Sequence, residues 1–264
     1  MPGMDRYSRE QSFHDHAYTE HTRSRVGKFY TIQGKSREHY KRLLAKHAPA
    51  GARVLEYGCG RGSSALFLAE KAAIVSAIDI SETGLELAMQ EARSGGVSIE
   101  FRLMNAEKLE FSEDTFDLVC GSAILHHLDL DRAFEEVSRV LKPGGAAIFI
   151  EPLGHNPLIN LYRRLTPRMR TEDEHPLRMQ DFAVAGRHFH EVDVQFYHLF
   201  SLAAVPLRNR SAFPRIVGAL DALDARFFRR WSSMRKYAWY AVMVFTQPRA
   251  TSRRPDETPT EQTS

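Results

Sequence analysis

The chain has 264 residues, 43% of them hydrophobic and 26% charged, a balance that suits a soluble globular protein of one large domain, or one domain with a cap. Its 36 basic and 33 acidic side chains leave a formal charge of only +3, which makes no case for a nucleic-acid surface. Two cysteines, Cys59 and Cys120, are too few for a disulfide framework, no apolar run is long enough to span a bilayer, and the polar residues 1–10 lack a signal core, so a reduced, cytoplasmic protein is expected.

Residues 1–34 read as an N-terminal helical arm or lid. Its aromatic side chains Phe13, Tyr18, Phe29 and Tyr30 suit either an apolar pocket or packing on a sheet. Residues 36–47 form a helical pattern with Tyr40, Leu43, Leu44 and His47 on one side. Short apolar runs then alternate with helical patterns: strand 53–56, helix 63–71, strand 73–79, a helix with Ser81 as its N-cap, strand 98–103, strand 116–121, helix 131–141, a stop at 142–145 and strand 146–151. Such alternation predicts a parallel sheet with right-handed crossovers and helices on both faces. Functional residues of such a sheet lie just past the carboxyl ends of its strands.

Beyond the fifth strand the pattern weakens. Residues 152–176 are rich in Pro, Arg and His and read as a loop with a short helix, an inserted cap. Residues 192–199 and 237–246 read as two more strands, making seven, and 213–230 as an amphipathic helix bearing several arginines. Residues 249–264, rich in Thr, Pro and charge, read as a disordered tail. The domain proper is thus expected over 35–248.

The most informative stretch is Val54-Leu55-Glu56-Tyr57-Gly58-Cys59-Gly60-Arg61-Gly62, a strand that runs into a glycine-rich turn and then a helix. Glycine tolerates positive φ and lets a ligand approach the backbone. A nicotinamide fingerprint wants Gly or Ala three positions after its second Gly; Ser63 stands there, and Glu56 has no place in that fingerprint. Farther along come Asp79-Ile80, Asn105-Ala106-Glu107, the strand and turn 116–125 with Ser122, and Leu141-Lys142-Pro143-Gly144-Gly145.

In these motifs, and in their order from about residue 40 to 151, the chain resembles the class I methyltransferases, in particular the small-molecule branch called methyltransferase type 11. The resemblance implies a Rossmann-like α/β fold with a mostly parallel seven-stranded sheet, and S-adenosylmethionine (SAM) as cofactor. It places Glu56, Gly58, Cys59, Gly60 and Ser122 around the methionine part. Asp79 matches the acid that accepts from both ribose hydroxyls, a task suited to a donor-free carboxylate. Ile80 matches the residue packed on adenine. Asn105-Ala106-Glu107 matches a segment usually written Asp-Ala-Glu, and the amide oxygen of Asn105 can still accept from the adenine amino group.

Methyl transfer from a sulfonium is an in-line displacement, so positioning supplies most of the acceleration, and a base is needed only where the nucleophile must lose a proton. His126, His127, Glu151 and His155 follow the fourth and fifth strands and are the candidates for base or acceptor contact. Arg163, Arg164, Arg168 and Arg170 suit an anionic group, or else pairing with Glu172, Asp173 and Glu174, the favoured reading. Residues 213–237 suit a packed helix with snorkelling arginines better than peripheral membrane contact. The cysteines are far apart and His126-His127 lacks ligand spacing to partners, so no metal site is expected.

The expected activity is methyl transfer to a small molecule, with an apolar or secondary-metabolite acceptor as the favoured class. Rival readings are a nucleic-acid or protein methyltransferase, an NAD(P)-dependent oxidoreductase and a catalytically inactive SAM-binding partner protein. Cys120-Gly121-Ser122-Ala123 stands where amino-directed nucleic-acid enzymes carry a (Asp/Asn)-Pro-Pro-(Tyr/Phe) turn, which disfavours the first. Nothing in the sequence specifies an oligomeric state.

Overall fold

The computed structural model describes residues 5–19, 27–166 and 174–249; the tail from 250 onward and Arg168, Arg170, Glu172 and Asp173 lie outside them. The strands are β1 (Arg53–Tyr57), β2 (Ile74–Asp79), β3 (Glu100–Leu103), β4 (Phe116–Ser122), β5 (Leu141–Pro152), β6 (Phe189–Tyr197) and β7 (Tyr240–Pro248). They form one seven-stranded sheet in the order β3-β2-β1-β4-β5-β7-β6. The first five are parallel, while β7 runs antiparallel to both β5 and β6. The chain order reverses between β1 and β4, the crevice where ligands of such sheets bind.

The central strands read as near-continuous apolar runs because the sheet is buried on both faces, with successive side chains entering opposite cores. On β5, Ala146, Ile148 and Ile150 enter one core while Ala147 and Phe149 enter the other; on β7, Val242 faces the first, and Ala241, Met243 and Phe245 the second. Helices α3 (Gly34–His47), α4 (Ser63–Ala69) and α5 (Glu82–Gly95) cover the first core with Tyr40, Leu44, Ala65, Leu68 and Leu85. Helices α6 (Leu130–Val140) and α8 (Phe182–His188) cover the second with Phe134, Val137, Val140 and Ala185. Helix α7 (Pro157–Leu165) is the short helix of the insertion after β5, and its Ile159 packs into the first core.

The expected elements are present with shifted ends. Helix α4 stops at Ala69 and β2 starts at Ile74; β3 starts at Glu100, α6 spans Leu130–Val140, and β6 and β7 end at Tyr197 and Pro248. The expected stop at 142–145 is instead a bulge inside β5. Leu141 and Ala146 face Phe116 and Leu118 of β4, and the intervening residues loop out with Gly144 at φ 83°. Residue 237 closes a 3-10 turn, Ser232–Tyr237, rather than starting a strand.

Sequence reading left further elements without bounds, α8 among them. Helices α1 (Arg6–Thr19) and α2 (Gly27–Tyr30) occupy the expected arm. The turn Ser201–Leu207 packs on α9 (Phe213–Arg230), where the Asp224 carboxylate accepts from the N–H groups of Leu199, Phe200 and Ser201 at 3.1, 2.7 and 3.3 Å. The arginines Arg215, Arg226, Arg229 and Arg230 of α9 are exposed, while Asp221, Asp224 and Phe228 are buried. Among the described residues, no helix is long and apolar enough to cross a membrane.

Candidate active site

A cavity of about 1550 Å³ opens at the carboxyl ends of β1, β2, β3 and β4. That is roomier than a pocket for one drug-sized ligand, which spans about 300–1,000 Å³. All of Glu56, Gly58, Cys59, Gly60, Asp79, Ile80, Asn105, Ala106, Glu107 and Ser122 line it.

The turn after β1 is built by its glycines and by two carboxylates. Gly58 and Gly60 sit at φ 66° and 52°, conformations that L side chains avoid. A Cβ on Gly58 would fall 2.5 Å from the Ile124 side chain, and one on Gly60 would strike the Tyr18 hydroxyl. The Glu56 carboxylate reaches past the turn to accept from Ser64 N at 3.2 Å and Ala65 N at 2.8 Å. It thereby caps α4, whose own N-cap residue, Gly62, has no side chain to do so. Burial nevertheless pushes the Glu56 carboxyl up to about 7, against those two backbone bonds.

Asp79 ends β2 and is 9% exposed. Its Oδ2 accepts from Gly60 N at 2.6 Å and its Oδ1 from Ser81 N at 2.8 Å. A carboxylate has about four acceptor sites, so each oxygen keeps one for a further donor. The backbone bonds thus fix the carboxylate's plane while leaving one acceptor site on each oxygen. Ser81 is the expected N-cap of α5, accepting from Gly84 N at 3.0 Å. The Asn105 amide oxygen accepts from Glu107 N at 2.8 Å, which shapes the turn after β3.

The four candidate bases separate in space. His127 lines the cavity. Burial, and then the neighbouring His126, push it down to about 4, so the imidazole is neutral near pH 7. His126 and Glu151 lie behind the wall. Glu151 is fully buried; its Oε1 accepts from Ile124 N at 2.7 Å and Leu125 N at 2.9 Å, and its Oε2 lies 2.7 Å from His126 Nδ1. Burial pushes Glu151 up to about 7. The pair shapes the 3-10 turn Leu125–His127. His155 sits in the insertion, with its Nε2 3.4 Å from Met179 N, and is not part of the cavity lining. Arg163 donates to Leu153 O at 3.1 Å and to Asn160 Oδ1 at 3.3 Å.

Helix α1 supplies a wall that sequence reading did not specify. Arg6, Tyr7, Glu10, His14 and Tyr18 line the cavity, as do Arg37, Tyr40 and Lys41 of α3 and Tyr240 of β7. Of the arm aromatics, Tyr18 and Tyr30 line it, whereas the Phe29 ring packs edge-on to Tyr162 and Trp239. The helix is pinned at both ends. The Arg6 guanidinium contacts the Glu107 carboxylate, and Asp15 Oδ1 accepts from Ser81 Oγ at 2.5 Å and from Thr83 N at 3.3 Å. A signal was present: Glu10, His14 and Tyr18 recur every fourth residue, the spacing of one helical face. The insertion after β5 contributes no lining residue among those described.

Residues 55–149 match the model of a methyltransferase domain family. The chain is 37% identical over 110 residues to methyltransferase GfsG of Streptomyces halstedii, a match covering 40% of this chain and 38% of that protein. It is 31% identical over 116 residues to the ubiquinone biosynthesis O-methyltransferase of Agrobacterium fabrum, covering 43% and 46%. The alignments therefore span less than half the length of these relatives. In fold, it superposes on Haemonchus contortus phosphoethanolamine N-methyltransferase 2, solved with phosphomonomethylethanolamine and S-adenosylhomocysteine, with a TM-score of 0.64 and 17% identity, over 94% of this chain and 62% of that one. The sheet, the glycine turn and the carboxylate at the end of β2 agree with these likenesses, and residues 55–149 are similar to a methyltransferase domain.

Proposed function

We propose that the protein transfers the methyl group of SAM to a small-molecule acceptor. The observation that carries this reading is the joint placement of Gly60 and Asp79: a backbone stripped of Cβ beside a carboxylate whose oxygens each retain one acceptor site. These suit the amino-acid end and the ribose diol of one nucleoside. Ile80 and Met104 offer an apolar surface, and Asn105 and Glu107 polar contacts, for a base beyond the ribose. When bound, SAM supplies an electrophilic methyl group on a positively charged sulfur.

The chain's own contribution is binding, alignment and shielding. Asp79 and the turn after β1 hold the nucleoside in one register. Tyr18 stands over Gly60, so α1 closes that end against water. The remaining space, bounded by His127, Glu10, His14 and Tyr240, takes the acceptor. Of the four candidate bases, His127 is the acceptor-side contact; His126 and Glu151 are positioning residues for its turn, and His155 has no part. The lining sets Ile124, Leu128 and Tyr240 beside charged and polar groups such as Glu10, Arg37 and His127, which suits an acceptor with an apolar body and a polar reacting group, such as a secondary metabolite. The net charge of only +3 disfavours a polynucleotide acceptor.

The test is production of S-adenosylhomocysteine by purified protein over a panel of phenols, hydroxylated polyketides, amines and prenylated quinols. Turnover with members of the panel is expected. SAM binding with no turnover across the panel, or on cell extract, would instead favour an inactive SAM-binding partner protein.

A further inference from the structure

We propose that Glu10, His14 and His127 form a site for one divalent first-row transition-metal ion, with Zn²⁺ as the reference cation, on the acceptor side of the cavity. The donor set is one carboxylate oxygen and two imidazole nitrogens, whose ligand atoms all lie within 4.8 Å of one another. Glu10 Oε2 is 3.0 Å from His127 Nδ1 and 3.4 Å from His14 Nε2. A tetrahedral ion with bonds of about 2.0–2.1 Å keeps its ligand atoms about 3.3–3.4 Å apart. Two of the three edges thus stand near the required length, and a small rotation of the His14 ring toward His127 closes the third. The two rings are already adjacent, their centroids 5.0 Å apart and their planes at 76°.

The elements that bring these groups together are rigid. Glu10 and His14 lie four residues apart on α1 and share one face. His127 ends the 3-10 turn after β4, which Glu151 holds by two backbone bonds. The three side chains are only 5%, 13% and 9% exposed, so bulk water competes little for the ion. All three also line the cavity. Three protein ligands and a position open to a cavity is the pattern of a reactive rather than a structural metal site. Imidazole ligands select transition metals over Mg²⁺ and Ca²⁺, which prefer all-oxygen sets. The expectation of no metal considered only chain-neighbouring spacing; here two of the three ligands come from a helix more than a hundred residues away in the chain.

Metal binding stands independently of the function proposed above. One consequence does rest on that function: the open position would take an oxygen of the acceptor, a phenolate, enolate or carboxylate, and hold it beside the methyl donor.

The experiment uses tag-free full-length protein, stripped with chelator and titrated with Zn²⁺ by calorimetry and with Co²⁺ by visible absorption. One equivalent should bind, and Co²⁺ should give the intense d–d bands of a low-coordinate site. Removal of an outer-shell partner typically costs about 10–100-fold in affinity; His14→Ala and Glu10→Gln, which remove ligands, should cost at least that. Circular dichroism and S-adenosylhomocysteine affinity identify any variant that has failed to fold, and Glu10→Gln keeps the side chain's volume if His14→Ala does fail. A rival cluster, His126, His127 and Glu174, shares one ligand, so Glu174→Gln is the control and should leave Zn²⁺ affinity unchanged. Absence of saturable binding to folded wild-type protein overturns the proposal. So does a loss confined to Glu174→Gln, or equal affinity in wild type, His14→Ala and Glu10→Gln. A protein that binds Zn²⁺ but ignores SAM sinks the methyltransferase reading alone; the reverse result sinks the metal site alone.

Discussion

The two sides of the cavity are built differently. The cofactor side consists of strand ends and the turns that leave them, and its key bonds run between backbone N–H groups and the carboxylates of Glu56 and Asp79. The acceptor side consists of side chains on separate elements, α1, α3, the turn after β4 and β7, joined by contacts such as Arg6 with Glu107 and Glu10 with His127. The first side is fixed by the backbone of the sheet and tolerates little change. The second can be rebuilt by altering α1 alone, which is how one cofactor fold comes to serve many acceptors.

That contrast is breakable, because substitutions on the two sides should fail in different assays. The largest effect is expected from Gly60→Val. A β-branched side chain at φ 52°, with its Cβ driven into Tyr18, should abolish SAM binding in a calorimetric titration while leaving the folded circular dichroism signal intact. Next comes His127→Asn on the acceptor side, which should lower turnover by roughly 100-fold or more with S-adenosylhomocysteine affinity unchanged. A parallel loss of affinity would show that the two sides are not separable. Asp79→Ala removes both remaining acceptors and should weaken SAM binding by about 1–3 kcal/mol, measured in the same titration.

The smallest effect is on stability. Burial holds the Glu56 carboxyl at about 7 against an ordinary 4.5, so the folded state binds this proton more tightly than the unfolded chain. Its contribution is fully present below about pH 4.5 and is lost as pH rises through about 7. The stability difference between wild type and Glu56→Gln, read from urea unfolding at about pH 5 and about pH 8, should therefore move in favour of Gln at the higher pH. A difference that does not change with pH would show that the two backbone bonds keep the carboxylate ionised throughout.

How much of this was legible in the sequence follows the same division. The strands of the central sheet, Ser81 as a cap and ten residues that line the cavity could be read because each is specified by neighbours within one strand-turn-helix unit. The bulge at Lys142–Gly145 was not, since a Pro-Gly-Gly run reads equally as a turn or as an excursion within a strand, and only pairing with β4 decides. Which of the four candidate bases line the cavity was not legible, because position after a strand does not say which side chains turn inward. Glu151 turns away to cap the turn at Ile124 and Leu125, and takes His126 with it. The arm was legible as a helical lid, but the bounds of α1 and its lining residues Glu10 and His14 were not, because they interrupt the apolar stripe that marks a packed helix, and only the cavity they line explains them.

The most direct test is a calorimetric titration of S-adenosylhomocysteine into the folded protein, with Asp79→Ala alongside. The account predicts saturable binding of one molecule per chain, weakened by about 1–3 kcal/mol in the variant. A folded wild-type protein that gives no binding heat at millimolar ligand, or binds as tightly after Asp79 is removed, would contradict it.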